Sequence, residues 1–144
     1  MTVYPPIGDL VPHSPPTLAI EELVEYGDGK AHARLQVRDG GLLVRDGSAD
    51  AVVTLEHMAQ TVAACLGYKA FLGGGAVRVG MVVACRQFTL SRDRLAVGER
   101  LDVRVTWQRG TDDVSSFEGE VRDERGELVA TAVMTLVHAD RPPD

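Results

Sequence analysis

The side chains best suited to moving protons in this sequence are a glutamate, a glutamine four residues after it, and four scattered histidines. Glu56 and Gln60 lie in Leu55-Glu56-His57-Met58-Ala59-Gln60, and His13 lies in Val11-Pro12-His13-Ser14-Pro15-Pro16. A carboxyl group and an imidazole are the usual pair for general acid–base work, because one can hold a proton while the other accepts one near neutral pH. Prolines on both sides of His13 restrict its backbone and can hold its ring in one place. If the stretch around Glu56 is helical, Gln60 lies one turn on and is placed to orient the Glu56 carboxyl. His57 then points about 100° away around the helix and reads as a packing or surface residue. His32 and His138 alternate within strand-like stretches and read as ordinary.

Other chemistries find little support. The histidines show no His-x-x-x-His or similar pairing, so no metal is expected. Cys65 and Cys85 lack metal-ligand spacing and lie in apolar stretches, where both are expected to be small buried side chains. There is no Gly-x-Ser-x-Gly elbow, and Gly73-Gly74-Gly75 lacks the Lys-Ser/Thr of a phosphate loop. A net charge of -6 argues against a general nucleic-acid binder. The N-terminus has no signal-peptide pattern and no apolar run approaches the ~20 residues of a membrane span, so a cytoplasmic protein is expected.

The elements that must position Glu56 and His13 follow from periodicity. The 144 residues, 44% of them hydrophobic, suit one domain over 1–140 with a flexible tail at 141–144. The proline-rich start holds at most a short helical turn at Ile7 to Val11. Leu18 to Glu25 and Ala31 to Val37 follow, the second alternating apolar and polar residues as a half-buried strand does. Asp39 to Asp50 reads as a loop with a short apolar element at Leu42 to Val44. Ala51 to Leu72 is the one long helix, with Asp50 as N-cap and the three glycines as its exit. Ala51, Leu55, Met58, Val62 and Leu66 form its predicted apolar stripe. Strands are predicted over Arg78 to Leu90, Arg100 to Gln108, Ser115 to Asp123 and Leu128 to His138, and Trp107 is expected in the core. One helix followed by four strands predicts an α+β domain, the helix packed on one face of an antiparallel sheet.

This order of elements resembles the hotdog fold over nearly the whole chain. Three segments sharpen the likeness to the 3-hydroxyacyl-carrier-protein dehydratases. Leu10-Val11-Pro12-His13-Ser14-Pro15-Pro16-Thr17-Leu18 is similar to their N-terminal His-x-x-Pro segment. Leu55 to Gln60 is similar to the start of their central helix, and Val97-Gly98-Glu99-Arg100-Leu101 to the turn into a late strand. The fatty-acid dehydratases also carry a Gly-His-Phe-Pro loop before the helix acid. The matching region here, near Leu42 to Val44, holds no histidine and no proline. The chain is closer to the divergent dehydratase-like branch associated with aryl-polyene biosynthesis.

The resemblance implies dehydration of a 3-hydroxyacyl thioester to a trans-2-enoyl thioester, with no cofactor. Glu56 would act on the 3-hydroxyl and His13 as the base at C2, on opposite sides of the C2–C3 bond. The macrodipole at a helix start favours the Glu56 carboxylate, while burial among Leu55, Met58 and Ala59 would favour the acid. Gln60 would support Glu56, and backbone N–H groups around Ala84 would hold the thioester oxygen. The acyl group would arrive on phosphopantetheine, from an acidic carrier protein or coenzyme A. Lys69, Arg78, Arg86, Arg92 and Arg94 form the densest basic region, and Arg78 and Arg86 are the candidates for meeting the carrier. Hotdog subunits pair, so a homodimer or a hetero-dimer with a related subunit is implied, with His13 of one chain meeting Glu56 of the other. Two alternatives remain: an acyl-thioesterase, and a non-catalytic acyl-binding partner of an active dehydratase, which the missing loop histidine favours.

Overall fold

The computed structural model describes residues 2–13, 17–74, 79–111 and 113–139. Strands β1 (Glu22–Gly27) and β2 (Lys30–Gln36) form a hairpin across Asp28 and Gly29. Two short strands, β3 (Val44–Arg45) and β4 (Ser48–Asp50), follow, then helix α1 (Thr54–Leu72). The remainder is β5 (Val79–Leu90), β6 (Arg94–Ala96), β7 (Arg100–Gly110), β8 (Val114–Asp123) and β9 (Leu128–Ala139). Six strands make one antiparallel sheet in the order β1-β2-β7-β8-β9-β5, and β3, β4 and β6 make a small second sheet. One long helix against one antiparallel sheet is the arrangement the hotdog resemblance implies.

Alternation decides which face of the sheet meets the helix. Ala31, Ala33 and Leu35 of β2 pair with Val105, Val103 and Leu101 of β7, and all six are buried. Phe117, Val121, Ala130, Ala132 and Met134 continue this face across β8 and β9. Met58 and Val62 of α1 pack onto it and are fully buried. Gly119 is needed there, because a Cβ at that position would lie 2.8 Å from Met58 Sδ. The opposite face carries charge: His32 Nε2 lies 2.6 Å from Asp102 Oδ1, and Arg34 Nε donates to the same oxygen at 3.1 Å. Burial works to raise the Asp102 pKa, but the bonds from His32 and Arg34 hold it below the ordinary value.

Several expectations are corrected. The helix begins as a 3-10 turn at Ala51–Val53, capped by Asp50, whose Oδ1 accepts from Val52 N at 2.9 Å. The predicted stripe is only partly right: Ala51, Met58 and Val62 are buried, but Leu55 and Leu66 are half-exposed. The buried arc is centred instead on Thr54, His57, Gln60, Thr61, Ala64 and Tyr68, because the N-terminal segment covers that side of the helix. The 39–50 loop contains the strand pair β3–β4, which is too short to leave a periodic signal. Trp107 is 44% exposed rather than in the core, lying at the rim of the sheet beside Gly29. Cys65 is buried, where desolvation pushes its thiol up to about 12, but Cys85 is exposed on β5. Gly75, Arg78, the 141–144 tail and the side chain of His138 lie outside the described residues.

Candidate active site

The position of His13 is set by a close backbone crossing. After a 3-10 turn at Ile7–Asp9, Leu10 and Val11 bury their side chains and the chain passes over α1 at Gly67. A Cβ at Gly67 would stand 1.8 Å from the carbonyl oxygen of Leu10, so only glycine permits this approach. The crossing carries the chain onward to His13, beside the first turns of the helix. There His13 Nε2 lies 3.5 Å from Glu56 Oε1. This exceeds an ordinary hydrogen bond but is within ion-pair reach. The two side chains are 29% and 41% exposed, so each keeps one side open to solvent.

Gln60 fixes the surroundings of Glu56. Its side chain is fully buried, and its Nε2 donates to Glu56 Oε1 at 2.9 Å and to the Thr17 carbonyl at 2.8 Å. Its Oε1 accepts from Ala19 N at 2.7 Å and Ile20 N at 3.3 Å. One amide therefore orients the carboxyl and ties the 17–20 segment to the helix. The contact expected between Gln60 and Glu56, one helical turn apart, is present.

The expected separation of the two groups is corrected in two ways. His13 meets Glu56 within one chain, where the expectation set it against Glu56 of a second subunit. The groups also touch, so no substrate fits between them, and both must be approached from a common open side. His57, next to Glu56 in sequence, faces the interior at 4% exposure. Burial lowers its pKa to about 4, and among the described residues neither its Nδ1 nor that of His13 has a hydrogen-bond partner. The His57 ring is a neutral imidazole at physiological pH.

The remaining candidates are placed elsewhere. Ala84 lies on β5 at the edge of the sheet, exposed, and is bonded to neither His13 nor Glu56 within the chain. The β5–β9 ladder shifts register between Val82 and Ala84, leaving Val83 as the extra residue of a bulge. Arg86 is exposed on the same strand, and Arg78 lies outside the described residues. Arg92 does not serve as a free cation: it donates to Glu99 at 2.5 Å and to Asp123 at 2.7 Å, tying two turns together. Arg94 is bonded to Ser48. The only trace of the Gly67 crossing in the sequence is an isolated glycine inside a helical pattern. Among the described residues no helix is long and apolar enough to cross a membrane.

Comparison with known proteins bears on the fold and the family. The dehydratase heterocomplex ApeI:P from Xenorhabdus doucetiae superposes with a TM-score of 0.89 at 22% identity, covering 95% of this chain and 93% of that one. A hypothetical thioesterase with coenzyme A from Streptococcus pneumoniae TIGR4 gives 0.64 at 11% identity, covering 85% and 88%. The E. coli PaaI protein from the phenylacetic acid degradation operon gives 0.62 at 13%, covering 82% and 78%. These likenesses establish the hotdog fold. No curated protein sequence matches the chain. The ApeP-like family, described as ApeP dehydratase, matches residues 5–143, and the chain belongs to that family.

Proposed function

We propose that this chain dehydrates a 3-hydroxyacyl thioester to the trans-2-enoyl thioester, the acyl group arriving on a phosphopantetheine arm, in fatty-acid-like or polyene biosynthesis. The observation that carries this reading is the 3.5 Å contact of His13 with a Glu56 carboxyl oriented by Gln60. In the reaction, neutral His13 takes the proton from C2 and protonated Glu56 gives its proton to the C3 hydroxyl. The C2–H electron pair becomes the C2–C3 double bond as the hydroxyl leaves as water. The His13 imidazolium then returns its proton to the Glu56 carboxylate across the same contact, which restores the starting state. Because both groups act from one side, hydrogen and hydroxyl leave the same face of the substrate. A backbone N–H at the Val83–Ala84 bulge is the proposed donor to the thioester oxygen, and Arg78 and Arg86 meet an acidic carrier protein or the coenzyme A phosphates.

The active form is a pair of hotdog subunits. Strand β5 forms an open edge twelve residues long, with Met81 63% and Val83 54% exposed. Exposed apolar edges of this kind are normally covered. Beside Glu56, the half-exposed Leu55, Ala59, Ala63 and Leu66 give α1 a second uncovered apolar stripe. A related hotdog subunit covers both, as a homodimer or as the second member of a heterocomplex.

The absence of a loop histidine at Leu42 to Val44 favours a second reading, in which this chain is the non-catalytic half of such a pair. Incubation with a 3-hydroxyacyl-pantetheine thioester, alone and with a related hotdog subunit, separates the possibilities. Enoyl product formed by this chain alone supports the proposal, and free thiol identifies a thioesterase. Turnover only in the mixture, unchanged by Glu56→Gln in this chain, assigns the chemistry to the partner.

A further inference from the structure

A concavity of about 250 Å³ opens between the C-terminal half of α1 and the rim of the sheet at the β1–β2 turn. Tyr26, Trp107 and Phe117 line it together with Leu66, and Trp107 is 44% exposed. Cys65 adds a buried, protonated thiol, which packs as an apolar group. An engineered apolar cavity of about 150 Å³ holds benzene, so one aromatic ring with a short side chain fits this volume. Two charges border the rings: Lys69 on the last turn of α1, and Asp28 in the turn between β1 and β2. Both act on the Cys65 thiol, in opposite directions, which sets them near the same wall. Among the described residues neither side chain has an ion-pair or hydrogen-bond partner, and they do not pair with each other. Lys69 stands thirteen residues beyond Glu56, about 20 Å along the helix, and no lining residue belongs to the Glu56 site. Leu66 is also part of the α1 stripe offered to a partner subunit, so the concavity borders that contact, while Lys69, Asp28 and Trp107 are exposed.

We propose that this concavity is a binding site for a free aromatic α-amino acid, its ring against Trp107, Tyr26 and Phe117, its carboxylate on Lys69 and its ammonium on Asp28. A planar ring suits this lining better than an aliphatic group, because paired rings gain attraction beyond the area they bury. Two unpaired charges of opposite sign at one mouth select a zwitterion, since a ligand with a single charge satisfies only one of them. Such a ligand carries no thioester, so the site stands independently of the dehydratase reading.

Trp107 is the chain's one tryptophan, so its emission reports the site directly. Titration of the full chain with L-phenylalanine is expected to give a saturable emission change with a Kd of about 1 mM or tighter. Calorimetry on the same samples should return the same constant. The analogues 3-phenylpropionate, which lacks the ammonium, and phenethylamine, which lacks the carboxylate, each bind about tenfold more weakly. L-Leucine, which lacks the ring, gives no saturable binding over the same range. Lys69→Gln weakens L-phenylalanine about tenfold and leaves phenethylamine unchanged. Asp28→Asn has the same effect with 3-phenylpropionate as the insensitive probe, and each insensitive probe shows that its variant is folded. No saturable response in the wild type overturns the site. L-Leucine binding as tightly as L-phenylalanine overturns the aromatic class, and equal affinity for all three aromatic probes overturns the zwitterion. These wild-type comparisons decide the proposal even where a variant fails to fold.

Discussion

His13 and His57 flank the same turns of helix α1, yet their surroundings give them opposite properties. His13 is partly exposed and 3.5 Å from a carboxyl. His57 is 4% exposed, and its pKa is lowered to about 4 by burial. Residue type alone would rank them equally, and adjacency to Glu56 would favour His57. What separates them is the 100° step between successive helical residues, which turns Glu56 outward and His57 inward. A proton-transfer group needs a partner and access to substrate; a buried neutral ring can offer only a hydrogen bond.

This contrast can be broken in order of expected effect. Glu56→Gln keeps the acceptor for Gln60 but removes the acid, so turnover falls about 10³-fold with an unchanged fold, checked by steady-state kinetics and circular dichroism. His13→Ala lowers turnover about 10²-fold by removing the base, and a loss below tenfold would make His13 a positioning residue. Gly67→Ala forces its Cβ against the Leu10 carbonyl and lifts the segment that delivers His13. A loss of about 2–3 kcal/mol in denaturant unfolding, accompanied by reduced turnover, is expected.

The buried histidine is sharpened by pH. Its folded pKa of about 4 lies below the ordinary 6.5, so below 6.5 the unfolded chain binds the proton that the folded chain refuses. Stability from this group is fully present above pH 6.5 and is lost as pH falls toward 4, by on the order of 3 kcal/mol. Chemical denaturation of His57→Phe across that window should show a flatter profile than wild type. The smallest effect is expected on the outer face of the sheet. Asp102→Asn removes the charge beside His32 and Arg34 and should cost about 1 kcal/mol or less, without altering turnover.

Much of the frame was legible because it is local. The three- and four-residue recurrence of Met58 and Val62 marked a helix, and Asp50 marked its start. The alternation of Ala31, Ala33 and Leu35 with polar residues gave β2 and its buried face. The misreadings share a cause in long-range contacts. Leu55 and Leu66 fit the apolar period as well as Met58 does, but the sheet reaches only part of that arc. Trp107 and Cys85 look like core residues until the sheet's rim and edge are known. Strands β3, β4 and β6 exist because they pair with each other, and segments of two or three residues carry no period of their own.

The site divides along the same line. Gln60 beside Glu56 is a property of the sequence by itself, since a four-residue step on a helix brings two side chains together wherever the helix lies. That His13 meets the carboxyl was decided only in three dimensions. It depends on Leu10 crossing Gly67, and on the 17–20 segment accepting the far end of Gln60. Helical geometry fixes neighbours within a turn, whereas bringing distant segments together depends on which surfaces can approach closely enough to pack.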